Sequence, residues 1–491
     1  MTLSPKSFFA AVLLIAVLTS CTTATKEPLP APPAVNREFR AMWICTVNNA
    51  DWPSKRTLST DEQKKELTDM LDRAAELKFN AVIFQVRPCC DAIYDSPIEP
   101  WSQYLTGKIG QAPEPYYDPL TFAVDESHKR GLELHAWFNP YRVGFGKLTN
   151  EVPAKHVSKT HPELVHVYGK HMWLDPGEAA TREYSLSVIK DVVHRYDIDG
   201  IHFDDYFYPY QEKTNKDDKV YIPFPDDVSW KKYQDAGGTL DRQDWRRDNV
   251  NKFVKDVGDA IKVEKPWVKF GISPFGIWQP GYPPQIKGLN SYASLYCDSR
   301  MWLSNAMVDY LNPQLYWRID KKEQSYPVLL KWWTEQNPQG RHLWPGMIVK
   351  DATELTNEIA VTRGQPGATG HVIFKATSVT QSTKGVDTAI AETYAIPALI
   401  PASPWMGTNT PPTTELSLKR KGHELKLAWK PVDDARWWLL QEKLGTNWIS
   451  QILPGSETNY VIKATNSAAL PEHVYLSPVN RFGNIGDYAA K

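Results

Sequence analysis

Several features that mark common enzyme classes are missing from this sequence of 491 residues. It contains no GxSxG segment, so a serine nucleophile on a strand-to-helix elbow is not expected. No glycine-rich turn for phosphate follows the first predicted strand, which argues against a dinucleotide-binding fold. Only five cysteines are present, with no CxxC pair and no Cys/His spacing suited to a metal. The sequence therefore predicts neither a metal site nor a cofactor.

An excess of one charge is also missing. The 56 Lys and Arg residues nearly balance the 57 Asp and Glu residues, which leaves a formal net charge of -1. This balance gives no reason to expect nucleic acid or an anionic membrane surface as a partner. Aromatic residues are plentiful, with 19 Trp and 23 Tyr, a composition that is compatible with carbohydrate binding. A chain of this length is expected to form two or three domains.

The N-terminal segment is predicted to direct export and not to belong to the fold. Lys6 precedes an apolar run, Phe8–Leu18, that is too short to span a membrane. The following Leu-Thr-Ser-Cys resembles a bacterial lipobox, which implies a signal peptide over residues 1–20 and lipidation of Cys21. Residues 21–36 are polar and then proline-rich, as in an extended tether. The expected location is the bacterial cell envelope, with a lipid anchor in the membrane; an ordinary secretory signal is the alternative.

The other four cysteines are Cys45, Cys89, Cys90 and Cys297. The adjacent pair Cys89 and Cys90 cannot easily form a disulfide bond with each other. Small buried side chains are the favoured interpretation. One disulfide from Cys45 to Cys89 or Cys90 is compatible with the sequence, which does not decide the question.

Residues 37–397 alternate short apolar runs with helix-like segments. Eight strand–helix units in succession predict an α/β fold of the (β/α)8 barrel type, with a doubly wound open sheet as the alternative. The polar segment Tyr210–Thr239 is predicted to be an extended loop over the top of this domain. The predicted strands are Arg40–Val47, Phe79–Val86, Leu132–Phe138, Asp199–Asp204, Val268–Ser273, Met307–Leu315, His342–Val349 and Gly370–Phe374.

A second domain is predicted at the C-terminal end. Residues 398–413 are rich in proline and are expected to form a linker. Residues 414–491 contain short strand-like runs whose pattern resembles a small all-β sandwich of the fibronectin type III class, with Trp429 in its core. The expected role of this domain is packing or spacing, and weak carbohydrate binding is the alternative.

The stretch Asp199–Tyr210, with the sequence DGIHFDDYFYPY, is the main candidate for a catalytic segment. It predicts a buried strand that ends in two adjacent carboxylates, Asp204 and Asp205. Like charges a few ångströms apart raise at least one pKa, which suits a site that needs one protonated and one ionised carboxyl group. The aromatic residues that follow would form a platform for a sugar ring. A solvated acidic turn is the structural alternative.

In a barrel, functional side chains gather where the strands end and the next loops begin. The ends of the predicted strands carry amides, guanidinium groups and aromatic rings, which suit a neutral, hydroxyl-rich ligand. Structural roles are the alternative for some of them: a hydrogen bond within the barrel wall for His135 and a loop cap for Asp91. Arg87 and Arg142 would then brace acidic neighbours. The candidate substrate-binding residues are Arg87, Asp91, Tyr94, His135, Trp137, Asn139, Arg142, Tyr206, Asn312, Gln314, Tyr316 and Trp317.

Several ordered motifs resemble those of the glycosyl-hydrolase-like family ten. They are RAMWI at Arg40–Ile44, FQVRP followed by Asp91 and Tyr94, AWFNPYR at Ala136–Arg142, LDPG at Leu174–Gly177, DGIHFDDYFYP from Asp199, and LNPQLYW at Leu311–Trp317. The resemblance covers residues 37–395 and implies a secreted or lipid-anchored bacterial (β/α)8 barrel that hydrolyses glycosidic bonds. It also implies a link to peptidoglycan, with glycan strands stripped of stem peptides as the substrate. The segment Arg87–Asp91 departs from the family pattern, which has a small residue and a glycine before the aspartate.

A second, looser likeness concerns mechanism. DGIHFDDY resembles the chitinase signature DGxDxDxE, but Tyr206 stands where the acidic glutamate would be. The adjacent carboxylates are instead similar to the pair in hexosaminidases that use substrate assistance. By this likeness Asp204 orients the 2-acetamido group of the substrate, with direct nucleophilic attack as the alternative. Asp205 is then the general acid/base.

The sequence thus predicts a lipid-anchored glycoside hydrolase that acts on a glycan containing N-acetylhexosamine, with peptidoglycan strands as the expected substrate. Two other classes are kept as alternatives: a non-catalytic glycan-binding lipoprotein and a hydrolase of an imported polysaccharide. The expected partners are the glycan and the membrane that holds the lipid anchor.

Overall fold

The computed structural model of the chain describes residues 29–145, 152–215, 220–381, 385–464 and 469–491. The predicted signal peptide and Cys21 lie outside these residues. Within the described ranges, none of the helices combines the length and the apolar character that crossing a membrane requires.

The first domain is a parallel barrel with a small antiparallel sheet inserted after its third strand. The barrel strands follow the order β10-β9-β8-β7-β3-β2-β1-β12-β11, and neighbours pair in parallel. The inserted sheet has the order β4-β6-β5. The strands of this domain are β1 (Phe39–Ile44), β2 (Ala81–Arg87), β3 (Glu133–Phe138), β4 (Arg142–Phe145), β5 (Val165–Tyr168), β6 (His171–Leu174), β7 (Gly200–Phe203), β8 (Lys269–Ile272), β9 (Tyr310–Leu311), β10 (His342–Leu343), β11 (Gly346–Ile348) and β12 (Gly370–Phe374).

The barrel closes at residues 342–348, which form β10 and β11. Pro345 lies between these two pieces and has no backbone N–H to donate, so regular strand geometry is interrupted there. β10 pairs with β9 on one side, and β11 pairs with β12, the neighbour of β1, on the other. Because only Trp344 and Pro345 separate the two pieces, they act as one strand of the ring. The predicted (β/α)8 fold is confirmed.

Helices surround the barrel, and the longer ones lie between its strands as the alternating pattern predicts. They are α1 (Thr60–Glu76), α2 (Gln103–Thr106), α3 (Pro119–Lys129), α4 (Val157–Thr160), α5 (Ala179–Arg195), α6 (Asp227–Asp235), α7 (Arg242–Glu264), α8 (Ser291–Ser294), α9 (Ser299–Ser304), α10 (Tyr326–Glu335), α11 (Ala352–Gly364), α12 (Ala376–Thr380) and α13 (Val386–Thr393). The prediction of a loop over Tyr210–Thr239 was wrong in part, because α6 lies within it. Trp230 and Tyr233 of α6 pack their rings against Trp245 of α7, so a tertiary contact stabilises a helix of polar composition.

Alternation along the strands divides the buried side chains of the barrel into two layers. In β1, Met42 packs in the layer beneath the helices, whereas Phe39 and Trp43 pack in the layer that faces the barrel interior. In β2, Ile83 faces the interior in the same way. Gln85 lies two residues further along β2, so it also faces inward, at the end of the barrel where the strands finish.

The C-terminal domain is an antiparallel sandwich of two sheets, β13-β14-β17 and β16-β15-β18-β19. Its strands are β13 (Leu416–Lys421), β14 (Glu424–Trp429), β15 (Trp437–Leu444), β16 (Asn447–Pro454), β17 (Asn459–Lys463), β18 (His473–Val479) and β19 (Ala489–Ala490). Trp429 lies in its core, with its ring centre 5.7 Å from that of Trp438. This arrangement is compatible with the fibronectin type III-like domain that the sequence predicts. The exact domain boundaries stay a prediction.

The sandwich packs against the end of the barrel where the strands begin. Trp437 and Val479 of the sandwich share one buried cluster with Phe39 and Ala81, which lie at the starts of β1 and β2. The Trp437 indole N–H also donates to the backbone oxygen of Gly131, at 2.8 Å. The sandwich therefore closes the barrel on the side opposite to the ends of the strands.

Asp199 joins the two domains directly before β7. Its carboxylate contacts nitrogen atoms of four residues: Leu134 N–H and His128 Nε2, both at 2.9 Å, and, from the sandwich, Arg436 with Nε at 3.3 Å and Arg481 at 3.4 Å. Burial by itself would raise the pKa of Asp199, but these positive charges hold it well below its usual range. The sandwich thus stabilises the start of the strand that leads to Asp204.

We expect Arg436→Ala to lower the free energy of unfolding by about 2 kcal/mol at neutral pH, because the buried Asp199 carboxylate loses a charged partner. Chemical denaturation measures this change. The loss should shrink in acid, since a carboxylate with a depressed pKa contributes stability only while it is ionised. The matched control is Lys443→Ala, which removes a more exposed ion pair, with Glu472, and should change stability by less than about 0.5 kcal/mol. Equal losses of stability in the two variants would contradict the role of Arg436 in stabilising Asp199.

Candidate active site

A cleft opens at the end of the barrel where the strands finish, and Asp204 and Asp205 lie in its wall directly after β7. Its volume is about 420 Å³, within the range of small-ligand sites. The residues around it are mainly aromatic or uncharged and polar. They are Trp43, Cys45, Val47, Asn48, Gln85, Trp137, Arg142, Phe145, Asp204, Asp205, Tyr206, Tyr210, Ser273, Gln314, Tyr316 and Phe374.

Asp204 is the more firmly held of the two carboxyl groups. The Trp137 indole N–H donates to it at 3.0 Å, and the Asn139 amide nitrogen lies 3.2 Å from both carboxylate oxygens. Burial raises the pKa of Asp204 to about 6; the Arg142 charge opposes this rise, and the neighbouring Asp205 adds to it. The group is therefore fixed in orientation, and its pKa lies above the usual range of an aspartate.

Asp204 also accepts from the Tyr206 backbone N–H at 3.3 Å, so Asp205 has fewer partners. The Tyr210 hydroxyl donates to one of its oxygens. Burial raises the pKa of Asp205, while hydrogen bonds from Tyr210 and Gln314 act in the opposite direction. Both carboxyl groups of the pair are thus shifted towards the protonated form, and Asp205 is the less constrained.

Arg142 supplies the positive charge of the cleft. Its guanidinium group lies between two rings, 4.7 Å from the centre of Phe145 and 4.9 Å from that of Tyr206. Its Nε donates to the backbone oxygen of Pro88 at 3.1 Å. This position lets one buried cation oppose the pKa rise of both carboxyl groups.

Two of the predicted residues, Asn139 and Arg87, do not line the cleft but hold Asp204 in position. Asn139 is fully buried; besides the bonds to Asp204, its side-chain oxygen accepts from the Arg142 backbone N–H at 3.0 Å. Arg87 donates to the backbone oxygen of Asn139 at 2.7 Å and forms a buried ion pair with Glu99. Arg87 and Asn139 are therefore positioning residues for Asp204.

Other predicted residues have structural partners away from the cleft. Asp91 accepts from the backbone N–H of Cys89 at 2.9 Å and so fixes its own loop, as one alternative had it. His135 lies deeper in the barrel, between Glu133 at 2.9 Å and the Tyr310 hydroxyl at 2.8 Å. His135 precedes Trp137 by two residues, so the same face of the strand places it one layer below the cleft.

Three more predicted residues also fail to line the cleft. Tyr94 is fully buried in the outer hydrophobic layer. The Asn312 amide donates to the backbone oxygen of Trp344 at 2.7 Å and is fully buried. Trp317 packs edge-on against Phe275, with ring centres 5.5 Å apart. Of the twelve predicted binding residues, the structure brings five to the cleft: Trp137, Arg142, Tyr206, Gln314 and Tyr316.

The cleft also contains residues that the sequence prediction did not select, among them Trp43, Gln85, Phe145 and Phe374. A signal for Gln85 was present, because it is a polar residue inside an otherwise apolar strand. Tyr210 was noted only as one of an aromatic run, and its bond to Asp205 depends on how the chain turns after β7. Phe374 comes from the last barrel strand, far from the others in sequence.

All four cysteines in the described part of the chain are free and buried: Cys45, Cys89, Cys90 and Cys297. The prediction of small buried side chains is confirmed, and no disulfide joins Cys45 to Cys89 or Cys90. Burial raises the pKa of Cys45 and of Cys89 to about 12, so these thiols stay protonated at neutral pH.

The fold and the site together define a class of protein. Two buried carboxyl groups lie at the C-terminal end of a parallel barrel, among aromatic rings and amides that suit a sugar. Glycosidic bonds are hydrolysed by such pairs of acidic residues. The molecule is a glycoside hydrolase barrel.

Comparison with known families agrees with this class. The profile of the family described as "Glycosyl hydrolase-like 10" matches residues 38–359. The chain belongs to this family, as its motifs predicted, and it is an enzyme that hydrolyses O-glycosidic bonds.

Two curated relatives cover most of the chain. The protein "Glycosyl hydrolase YngK" of Bacillus subtilis is 38% identical over 410 residues, which are 79% of this chain and 78% of that protein. "Glycosyl hydrolase DigH" of Escherichia coli K12 is 32% identical over 412 residues, 74% of this chain and 91% of that one. Among solved structures, the catalytic domain of a β-amylase from Paenibacillus polymyxa aligns with a TM-score of 0.50 at 12% identity, over 74% of this chain and 99% of that one. That likeness concerns the fold.

Proposed function

We propose that this enzyme hydrolyses a glycan that contains N-acetylhexosamine, and that peptidoglycan strands without stem peptides are its substrate. The observation that carries the proposal is the pair Asp204 and Asp205, buried side by side in the cleft and both with a raised pKa. Apart from this pair and Arg142, the described residues that line the cleft have uncharged side chains. Such a lining favours a glycan chain over a strand that carries charged peptides.

The contacts of the two carboxyl groups support different roles for them. Asp204 is oriented by Trp137 and Asn139, so it is suited to hold the N–H of a 2-acetamido group while the acetamido oxygen attacks the anomeric carbon. Asp205, with its raised pKa and fewer partners, is suited to protonate the leaving oxygen and then to activate water. Direct attack by Asp204 is the alternative route to the same products.

Five side chains around the pair are proposed to bind the sugar. Trp137, Tyr206 and Tyr316 supply aromatic rings, and Gln314 and Arg142 supply hydrogen-bond donors. Aromatic rings and hydrogen-bond donors together match the apolar faces and hydroxyl edges of a pyranose.

The test is digestion of purified murein with its stem peptides removed, followed by mass analysis of the fragments. We expect new reducing ends and soluble oligosaccharides from this material, and little release from intact murein. Binding to the sacculi without new reducing ends would contradict catalysis on this substrate. Release from a plant or host polysaccharide but not from murein would favour the imported-glycan alternative.

Tyr210→Phe should move the alkaline limb of the pH–rate profile to higher pH, by about one unit. The Tyr210 hydroxyl stabilises the ionised form of Asp205, so its removal raises the pKa of the acid further and keeps it protonated to higher pH. The measurement is kcat/KM on a soluble glycan across the pH range. Tyr208→Phe is the matched control, because the Tyr208 hydroxyl is buried without a partner and its residue does not line the cleft. An alkaline limb that stays in place in Tyr210→Phe would exclude Asp205 as the acid.

We also propose the envelope location that the N-terminal sequence predicts. A lipid on Cys21, followed by the tether 21–36, would hold the barrel close to a membrane and leave its cleft free to reach a glycan chain. The first described residues, from Leu29, run along the sandwich, where the Tyr475 hydroxyl donates to the Pro30 oxygen at 2.6 Å. The tether would therefore leave the molecule at the end opposite to the cleft.

A further inference from the structure

Gln85 has one end of its side chain fixed by backbone groups. Its Oε1 accepts from the Val47 N–H at 2.8 Å and from the Thr46 N–H at 3.0 Å. Backbone N–H groups only donate, so the atom that they meet is the oxygen, and the orientation of the amide is settled by its partners. The amino group of Gln85 must then point the other way.

Among the residues that the structure describes, none hydrogen-bonds to the Nε2 atom of Gln85, although this atom is buried. Gln85 itself is wholly inaccessible at the protein surface and lines the cleft. A buried donor without a partner is unfavourable, and such atoms in native structures need an explanation. Here the explanation available is a ligand oxygen, because Gln85 is one of the residues that line the cleft.

Gln85 lies on the Asp204 side of the carboxylate pair. It is directly opposite Trp137 in the pairing of β2 with β3, and the Trp137 indole donates to Asp204 at 3.0 Å. The Sγ atom of Cys45 lies 3.5 Å from Gln85 Oε1. The negative charge of Asp204 helps to raise the pKa of Cys45, so Cys45 lies near Asp204. The Asp204 carboxylate, which accepts, and the Gln85 amide nitrogen, which donates, thus lie on the same side of the cleft.

We infer that Gln85 is the residue that recognises the acetamido carbonyl of the substrate, and that it selects a 2-acetamido sugar over a 2-hydroxy sugar. An acetamido group presents one N–H donor, one carbonyl acceptor and a methyl group. Asp204 would accept from the N–H, Gln85 Nε2 would donate to the carbonyl, and the Trp43 ring and Cys45 would contact the methyl group. This inference rests on the proposed function and adds a specificity-determining residue to it.

The test is ligand binding to Gln85→Glu in an inactive Asp205→Asn background, so that the glycan is not cut. Glutamate has the size of glutamine and keeps the acceptor for Val47 and Thr46, but it replaces the free donor by an oxygen. Calorimetry with the tetramer of N-acetylglucosamine and with cellotetraose gives the preference for the acetamido ligand. We expect that preference to fall at least about tenfold, since a site built to hydrogen-bond a group discriminates strongly by it.

Gln314→Glu in the same background is the matched control, because Gln314 lines the cleft on the Asp205 side and its amide donates to the Ser273 oxygen. This change should weaken both tetramers to a similar degree and leave their ratio within about twofold. A ratio that falls equally in both variants, or in neither, overturns the role assigned to Gln85 and leaves the proposed function in place. Failure of the Asp205→Asn protein to bind either tetramer overturns both.

A second measurement does not depend on the folding of the Gln85 variant. In a crystal structure of Asp205→Asn with the N-acetylglucosamine tetramer, we expect an acetamido oxygen about 3 Å from Gln85 Nε2. A water at that atom, with the acetamido group placed elsewhere, overturns the inference.

Discussion

Asp205→Asn is expected to lower kcat by about 10²–10⁴, because the variant cannot donate a proton to the leaving oxygen. The carboxamide keeps an oxygen for the Tyr210 hydroxyl, so the shape of the cleft should be retained. The measurement is the rate of appearance of reducing ends from peptide-free glycan, with kcat and KM determined separately. A fall in kcat at nearly constant KM would show that the group acts on the bond and not on binding.

The same change should stabilise the protein at neutral and higher pH. Burial raises the pKa of Asp205, so the folded state resists an ionisation that the unfolded chain undergoes freely above its own pKa. An amide removes that cost, and the melting temperature of Asp205→Asn should exceed that of the parent at about pH 8. The gain should vanish at about pH 3, where the aspartate is largely protonated in both states. Near-native turnover, or an equal melting temperature at every pH, would contradict the assignment.

Asp204→Asn is expected to slow hydrolysis by about 10²–10³, the usual effect of losing one preorganised electrostatic contact to the transition state. An amide at this position cannot balance the positive charge that develops on the acetamido group. Trp137 and Asn139 both donate to the carboxylate of the parent. In the variant, the amide nitrogen would face one of these two donors and would leave it without an acceptor. Steady-state kinetics on the same glycan measure the loss.

Asp204 has two possible roles, orientation of the acetamido group and direct nucleophilic attack, and inhibitors and trapping distinguish them. Substrate assistance predicts that thiazoline-type mimics of the acetamido intermediate inhibit the parent and bind Asp204→Asn more weakly. A covalent sugar trapped on Asp204 would instead establish direct attack. The matched control is Asp298→Asn: Asp298 is a half-buried aspartate outside the cleft whose side chain caps α9, and an asparagine caps as well. Its activity should stay within about twofold of the parent.

The barrel could be predicted because its signals are local. A strand such as FNAVIFQV is apolar along its length, as strands buried on both faces are. A capping box at Ser59 marks, in the sequence itself, the start of the helix that precedes this strand. Helix α6 escaped prediction because its stability depends on Trp245, a residue outside the helix. The position of Arg436 against Asp199 could not be predicted either, because no local pattern records which end of the barrel the sandwich covers.

The candidate site was predicted in outline for a similar reason. Asp204 and Asp205 stand where a strand ends, and a barrel gathers such positions at one rim. His135 and Asn312 carry chemistry just as suitable, yet they lie in lower layers or find backbone partners. The depth at which an inward-facing side chain lies depends on the stagger of neighbouring strands, which no single strand encodes.

The sequence by itself determined the barrel, the strand that ends in two carboxyl groups and the family to which the chain belongs, because periodicity and ordered motifs are properties of the chain. Only the tertiary structure decided which of the polar strand ends reach the cleft, that Arg87 acts through Asn139, and that the amide nitrogen of Gln85 has no partner among the described residues. The physical reason is that hydrogen-bond satisfaction is set by neighbours in space: the groups that fix Gln85 and orient Asp204 come from strands that meet only when the sheet closes.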